Sequence, residues 1–198
     1  MQPTSLSLTN FRSYRSLDLP LGPGLTMAHG DNAQGKSNLL EAVYLLAIGK
    51  SYRATTEREM VSWEAADAGG YAIVAARVSR GDGPWELRVG FDCAGGAPSG
   101  VAKRIRVNGA PKRASELVGV MTAVLFSAED IDLVFGSPQG RRRYLDILLS
   151  QQSRHYVQAL QRYQRVLLQR NHLLRAMREG RAGDDELTFW DDSLCREG

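Results

Sequence analysis

The feature that most constrains this chain is the spacing Gly30-x-x-x-x-Gly35-Lys36-Ser37, which matches the phosphate-binding P-loop. The apolar residues 25–28 before it predict a short strand. Apolar residues that recur every three or four positions after it predict an amphipathic helix ending near Gly49. A strand, a glycine-rich loop and a helix in this order present backbone N–H groups and a positive helix end to an anion. The pattern predicts an α/β fold that binds a nucleoside triphosphate.

The P-loop residues have distinct expected roles. Lys36 is expected to bridge the β- and γ-phosphates of ATP, and the Ser37 hydroxyl is expected to bind Mg²⁺. The full set of expected nucleotide-binding residues in the loop is Gly30, Asp31, Asn32, Ala33, Gln34, Gly35, Lys36 and Ser37. Hydrolysis also needs a Walker B strand, an apolar run that ends in Asp, and the sequence contains none.

Composition excludes several other classes of protein. The chain has 198 residues, of which 43% are hydrophobic and 24% are charged, as in ordinary globular domains. It has no run of 18 apolar residues and no basic segment followed by an apolar core at its start, so we expect neither a membrane span nor a secretory signal. Cys93 and Cys195 lie far apart, which argues against a disulfide scaffold and favours the cytoplasm.

Positive charge is concentrated in one segment. Residues 141–182 contain ten arginines and two acidic residues, whereas residues 183–198 contain six acidic residues and one arginine. Such a basic segment attracts a phosphate backbone, and Arg141, Arg142 and Arg143 are its candidate DNA contacts. The alternative is a solvated helical face whose arginines pair with acids of the chain such as Asp146.

The rest of the pattern predicts a sheet followed by helices. Residues 70–113 are typical of antiparallel strands, with hairpins at residues 81–84 and at Asn108-Gly109. Residues 120–126 predict one more apolar strand. From Pro138 the chain is helical, and a stripe from Tyr156 to Met177 at heptad spacing predicts packing against another helix. We expect no helix of comparable quality to follow within the chain.

Several segments resemble one known family. The stretch GDNAQGKSNLLEAVYLLAIGKSYR (residues 30–53) is similar to the P-loop helix and following basic turn of the RecF family, which belongs to the ABC/SMC-like ATPases. Further similar blocks occur in family order: LTNFRSY (8–14), VNGAPKRASEL (107–117), VLFSAEDIDL (124–133), GSPQGRRRYLDILL (136–149), YQRVLLQRNHLL (163–174) and FWDDSL (189–194). The family's signature loop, Walker B strand and D-loop have no counterpart here, so the chain is expected to be an N-terminal fragment.

The resemblance implies a fold and a function. It implies the N-terminal part of an ABC/SMC-type P-loop NTPase head with a mixed sheet in residues 1–136, and the start of a helical lobe in residues 137–198. Members of the family bind ATP and Mg²⁺ and form an ATP-dependent homodimer. They bind single-stranded, gapped or linear duplex DNA, act with RecR and RecO in loading RecA and in SOS induction, and support replication restart. The full-length family has weak DNA-stimulated ATPase activity, which this fragment is expected to lack.

The resemblance also suggests roles for single residues. Arg12 corresponds to a basic residue that reaches the nucleotide, and Glu129 or Asp130 stands where related ATPases sense Mg²⁺ and the γ-phosphate. Lys50 and Arg53 are expected to face DNA. Each has a plain structural alternative: a surface cation for the basic residues, and first-turn acids that complement a helix dipole for the acidic ones.

Two other functions remain open at this point. A metabolic P-loop kinase would need catalytic acids soon after the P-loop, and Glu57, Glu59 and Glu64 are its candidates. An ABC transporter ATPase subunit would need an aromatic residue before the P-loop and a signature motif, and the sequence has no such motif.

Overall fold

The computed structural model describes residues 1–94, 100–181, 183 and 185–198, with all their side chains except those of residues 129, 185 and 186. These residues form two compact units, Met1–Ser137 and Pro138–Gly198. The boundary expected from the sequence, between residues 136 and 137, lies one residue earlier.

The first unit is built on a six-stranded sheet with the strand order β2-β1-β3-β4-β5-β6. Every pair of neighbouring strands in it is antiparallel. The strands are β1 (Gln2–Phe11), β2 (Tyr14–Pro20), β3 (Tyr71–Arg80), β4 (Gly83–Asp92), β5 (Ala102–Val107) and β6 (Ala110–Lys112). Alternate residues such as Leu8, Val74 and Val89 are buried on one face, as expected for a sheet with one solvated side.

Helix α1 (Lys36–Ile48) covers the buried face of this sheet. Its residues Ala42, Leu45, Leu46 and Ala47 belong to the same core cluster as the inner side chains of the strands. Gly49 ends the helix with a φ of 76°, and its N–H donates to Leu45 O over 2.8 Å. The predicted helix end at Gly49 is confirmed, because a glycine accepts this left-handed conformation without strain.

Both predicted hairpins are confirmed. Strands β3 and β4 pair from Tyr71↔Asp92 to Arg80↔Gly83. Between β5 and β6, Asn108 and Gly109 have φ values of 51° and 76°, as a type I′ turn requires. Short helical segments complete the unit: a 3₁₀ turn Glu57–Met60, α2 (Trp63–Asp67), α3 (Ala114–Leu117), a 3₁₀ turn Ala128–Ile131 and α4 (Asp132–Phe135).

Two predicted strands are wrong. Residues 25–28 have no regular structure, and Leu25 and Met27 are 89% and 76% exposed. Beyond an isolated bridge from Val118 to Met121, residues 122–127 are also irregular, and Phe126 is 89% exposed. An extended segment becomes a strand only beside a hydrogen-bonding neighbour, and no described strand pairs with either one.

The second unit consists of α5 (Pro138–Gln152), α6 (Arg154–Arg178) and α7 (Asp185–Glu197). The sequence predicts no helix of comparable quality after α6, but the shorter helix α7 follows and packs along it. Arg162 Nε donates to Glu197 Oε2 over 2.7 Å, and Arg170 Nε donates to Asp191 Oδ1 over 2.5 Å. Ion pairs between the arginine-rich helix α6 and the acidic helix α7 therefore add to the contacts of the apolar stripe. The periodicity of apolar residues in the sequence does not reveal these ion pairs. No described helix is long and apolar enough to cross a membrane.

Candidate nucleotide site

The P-loop connects the irregular segment after β2 to the N-terminus of α1. Gly30 and Gly35 have φ values of 140° and 91°, which residues with a side chain rarely adopt. Gly35 is the N-cap of α1, has no side-chain cap, and accepts hydrogen bonds from Asn38 N and Leu39 N at 2.8 and 3.3 Å. The first turn of the helix contains no acidic residue, so no carboxylate there offsets the positive end of the helix dipole.

Lys36 folds back over the loop. Its ammonium Nζ donates to Gly30 O over 2.7 Å and to Asp31 O over 2.6 Å. The charge is therefore held at the first glycine of the motif, beside the helix N-terminus. Ser37 is the next residue along the chain and the second residue of α1. This arrangement collects a cation, a hydroxyl and a positive helix end at one loop, which suits a polyphosphate.

The turn between β1 and β2 supports the P-loop from one side. Tyr14 Oη donates to Gly35 O over 3.3 Å, and Asn38 Nδ2 donates to Ser13 Oγ over 2.8 Å. A Cβ atom at Gly35 would lie 2.9 Å from Ser13 Oγ and 3.1 Å from the Tyr14 ring. Gly35 is therefore needed both for its φ and for this close approach.

A buried carboxylate on α1 joins this turn to a second loop. Glu41 is 0% exposed and lies four residues after Ser37. Arg12 donates to it from Nε and Nη2 over 2.9 and 2.7 Å. Arg53 donates from Nε and Nη2 over 3.1 and 2.8 Å, and Ser51 Oγ donates over 2.5 Å. One carboxylate thus fixes Arg12 in the turn before the P-loop and Arg53 in the loop after α1.

The charge state of Glu41 follows from these contacts. Burial by itself raises the pKa of Glu41, but the hydrogen bonds from Arg12, Arg53 and Ser51 outweigh it and hold that pKa below its ordinary value of 4.5. Glu41 is therefore ionised at neutral pH. Each guanidinium also reaches a further acceptor: Arg12 Nη1 lies 3.7 Å from Glu59 Oε2, and Arg53 Nη2 contacts Asn38 Oδ1.

These side chains line an open cleft next to the P-loop. Its lining residues are Arg12, Ser13, Asn38, Arg53, Glu59, Val61 and Trp63. Arg12 has a φ of 54°, and its N–H donates to Met60 O over 3.1 Å, so the backbone also holds this turn against the 3₁₀ segment. Trp63 is 87% exposed at the edge of the cleft. The structure therefore places Arg12 in the turn beside the P-loop with its guanidinium on Glu41, and its contact with a nucleotide stays a prediction.

Comparisons with known proteins agree with this geometry. A family model described as an AAA domain matches residues 5–165. The DNA replication and repair protein RecF of Chloroflexus aurantiacus is 46% identical over 98% of this chain, and that of Halalkalibacterium halodurans is 40% identical over 92%. The chain belongs to the RecF family. A solved structure of the recombination mediator protein RecF with ATP, in the RecFOR pathway, superposes over 100% of the chain with a TM-score of 0.88 and 33% identity.

The chain spans about half the length of these RecF proteins. It covers 52% of the Chloroflexus protein and 51% of the solved chain. The RecF resemblance found in the sequence and the expected ABC/SMC-type head fold are confirmed by these matches.

The other expected contact residues lie on several different elements of the chain. Lys50 is exposed just beyond α1, whereas Arg53, also expected to face DNA, is bound to Glu41. Arg141, Arg142 and Arg143 are all exposed on α5. Asp146, their suggested acidic partner, accepts a hydrogen bond from Tyr156 Oη over 2.6 Å. The side chain of Glu129 lies outside the described ones, and the carboxylate of Asp130 accepts from Ser127 N over 2.5 Å.

Sequence reasoning missed the residue that organises the site. Glu41 is the single charged residue of the helix KSNLLEAVYLLAI after its first position. An isolated carboxylate in an apolar helix, four residues after the P-loop serine, is a usable signal that it has a buried cationic partner. Its partners come from residues 12 and 53, which no local pattern links to it.

Proposed function

We propose that this protein is an ATP-dependent DNA-binding protein of recombinational repair and replication restart. The observation that supports it best is the position of the Lys36 ammonium on the carbonyls of Gly30 and Asp31, at a helix N-terminus without acidic residues. Backbone N–H groups, a helix dipole and a lysine in this arrangement bind the phosphates of a nucleoside triphosphate. The RecF relative with ATP makes ATP the nucleotide of choice.

The residues around the loop fit Mg·ATP. Ser37, the second residue of α1, supplies the hydroxyl that binds Mg²⁺ together with the phosphates. The described residues hold no cluster of three histidines, cysteines or carboxylates that could bind a metal without the nucleotide. Arg12 stands beside the loop, and its ion pair with Glu41 fixes the guanidinium in the cleft. In this proposal ATP supplies the negative charge of its phosphates, and the chain supplies the cations and hydrogen-bond donors that bind them.

The acids suggested for a metabolic kinase each lie near a cation of the chain. Lys103 Nζ lies 2.8 Å from Glu57 Oε1, Arg12 lies 3.7 Å from Glu59, and Arg15 lies 3.5 Å from Glu64. A catalytic carboxylate must reach the proton of a substrate hydroxyl, and each of these carboxylates faces a cation of the chain instead. We therefore favour the repair function.

DNA is the proposed macromolecular partner. Arg141, Arg142 and Arg143 form an exposed basic turn at the start of α5. Together with Lys50 they are the proposed phosphate contacts for single-stranded, gapped or linear duplex DNA. By analogy with its RecFOR relative, we propose action with RecR and RecO in RecA loading and SOS induction, an ATP-dependent homodimer, and a cytoplasmic location.

Nucleotide binding is tested by replacing the P-loop lysine. Lys36→Ala removes the charge from the phosphate contacts, whereas Lys50→Ala removes the same side chain from the other end of α1. We expect equilibrium titration with ATP and Mg²⁺ to show a large loss of affinity for the first variant and none for the second. Equal affinities for both variants and the parent protein would refute the P-loop assignment.

DNA binding is tested by its dependence on salt. Replacing Arg141, Arg142 and Arg143 with serine should lower the log–log salt slope for duplex DNA by roughly 0.9 for each phosphate that the variant no longer neutralises. The weakening should be similar for unrelated sequences, because phosphate contacts carry no base information. A slope identical to that of the parent would remove these arginines from the DNA interface.

A further inference from the structure

The solvated face of the sheet contains a basic groove that none of the functions above uses. On this face Tyr71 and Ile73 come from β3, Arg88 and Gly90 from β4, and Arg104 and Arg106 from β5. The register sets Ile73 opposite Gly90 and Gly90 opposite Arg104. Gly90 therefore forms the floor, because it is the central residue and has no side chain.

The groove concentrates cations at some cost to the sheet. Arg88 and Arg106 lie directly opposite each other in neighbouring strands, an arrangement in which like charges repel. Neither forms an ion pair with a described residue, and residues 95–99, which lie outside the described ranges, carry no charge. Arg104 lies 3.5 Å from Asp92, the one carboxylate among the residues that line the groove. Three guanidinium groups thus face one carboxylate.

An aromatic ring lies at one end of these charges. Tyr71 is the first residue of β3, is 51% exposed, and lines the same groove. Arginines that follow a backbone, next to an exposed aromatic ring on which a base can stack, are the combination that binds single-stranded nucleic acid. A duplex offers its bases already stacked and does not use such a ring.

We propose that the groove lined by Tyr71, Arg88, Gly90, Arg104 and Arg106 binds a single-stranded segment of DNA. The guanidinium groups contact successive phosphates, and a base stacks on Tyr71 over the floor made by Gly90. The site lies on the outer face of the sheet, whereas α1 covers the inner face. The inference rests on the proposed function and adds a second DNA contact surface to it.

The first test removes charge from the groove. The double variant Arg88→Ser, Arg106→Ser is compared with Arg15→Ser, Arg58→Ser, which removes two exposed arginines that pair with Glu64 and Asp67. Fluorescence anisotropy with labelled oligothymidylate should show a salt slope lower by about 1.4 for the groove variant, at about 0.7 per phosphate of a single strand. The control should keep the parent slope. Equal slopes for the groove variant and the parent would overturn the proposal.

The second test fills the groove without changing its charge. A Cβ atom at Gly90 would meet Ala72 O and Arg104 O at 3.8 and 3.9 Å, which is ordinary contact. Gly90→Val should therefore fold with an unchanged or higher melting temperature, since a β-branched residue suits a strand. It should nevertheless weaken oligothymidylate binding, and Tyr71→Val should weaken it by about fivefold or more. If both variants bound oligothymidylate as well as the parent, a diffuse attraction between charges would explain the binding, and the proposed groove site would be overturned.

Two further readouts separate this inference from the proposed function. All groove variants should bind ATP like the parent, because the P-loop is untouched. A duplex of the same length should lose little affinity in the groove variants, and an equal loss for duplex and single strand would overturn the single-strand assignment. If the parent protein bound neither DNA form with or without ATP, the proposed function itself would fail, and the groove with it.

Discussion

Arg12 donates two hydrogen bonds, from Nε and Nη2, to the two oxygens of the fully buried Glu41. Glu41 belongs to the helix that begins at the P-loop, and Arg12 belongs to the turn that supports the loop from outside. The position of the cleft arginine is therefore set by the same helix whose N-terminus is the candidate phosphate site.

Removing Glu41 should destabilise the protein strongly. Glu41→Ala leaves Arg12 and Arg53 without the buried carboxylate that both contact, and breaking such a pair costs about 3–5 kcal/mol of unfolding free energy. Denaturant unfolding measures it. The control is Glu64→Ala. Glu64 pairs with Arg15, both side chains are exposed, and the pair should contribute at most about 1 kcal/mol to the free energy of unfolding. Similar losses for the two variants would contradict the role of Glu41.

The same carboxylate should make stability depend on acidic pH. The pKa of Glu41 is lowered in the folded protein, so its contribution is fully present above the ordinary value of 4.5 and is lost as the pH falls through the folded value. Unfolding free energies measured from pH 7 downward should therefore fall below about pH 4.5. Glu41→Gln should show a shallower fall over this interval. If the unfolding free energies of Glu41→Gln and the parent fell in parallel with pH, the acid sensitivity would come from other carboxylates.

Gly35 should tolerate no side chain. Gly35→Ala places a Cβ 2.9 Å from Ser13 Oγ at a φ of 91°, and the left-handed conformation alone costs about 1–2 kcal/mol. We expect a lower melting temperature together with weaker ATP binding, since the loop carbonyls that hold Lys36 must shift. Gly81→Ala is the control, because a Cβ there meets nothing within 4 Å. ATP affinity that survives Gly35→Ala would show that the loop adjusts without loss.

The contact between α5 and α6 should weaken at alkaline pH. The hydrogen bond to Asp146 raises the pKa of Tyr156 above its ordinary value of 10.0. A raised pKa in the folded state gives stability that is present below pH 10 and is lost as the pH rises through the folded value. Spectrophotometric titration of the parent against Tyr156→Phe isolates this tyrosine. The difference between the two titration curves gives the pKa of Tyr156 in the parent. An ordinary pKa there would contradict the hydrogen bond from Tyr156 to Asp146.

The sequence predicted those parts of the fold that local patterns determine. The P-loop spacing, the end of α1 at Gly49 and the Asn108-Gly109 hairpin each depend on a few neighbouring residues, and all three agree with the structure. The strand predicted at residues 25–28 is wrong, because a run of apolar residues favours a strand but its hydrogen-bonded pairing depends on a partner that is distant in sequence. The Glu41 cluster could not be predicted for the same reason, since residues 12, 41 and 53 meet through the fold. Helix α7 was underestimated because part of its contact with α6 is ionic.

The Glu41 cluster also has a consequence for how such sequences can change over time. A mutation that removes either arginine leaves the carboxylate short of donors, and a mutation that removes the carboxylate leaves two cations competing for the same interior space. No single step at these positions is therefore neutral, although a coordinated replacement of all three by apolar residues is physically acceptable. Residues 12, 41 and 53 should be inherited as a set, and a relative that has lost one of them should have lost or replaced the other two.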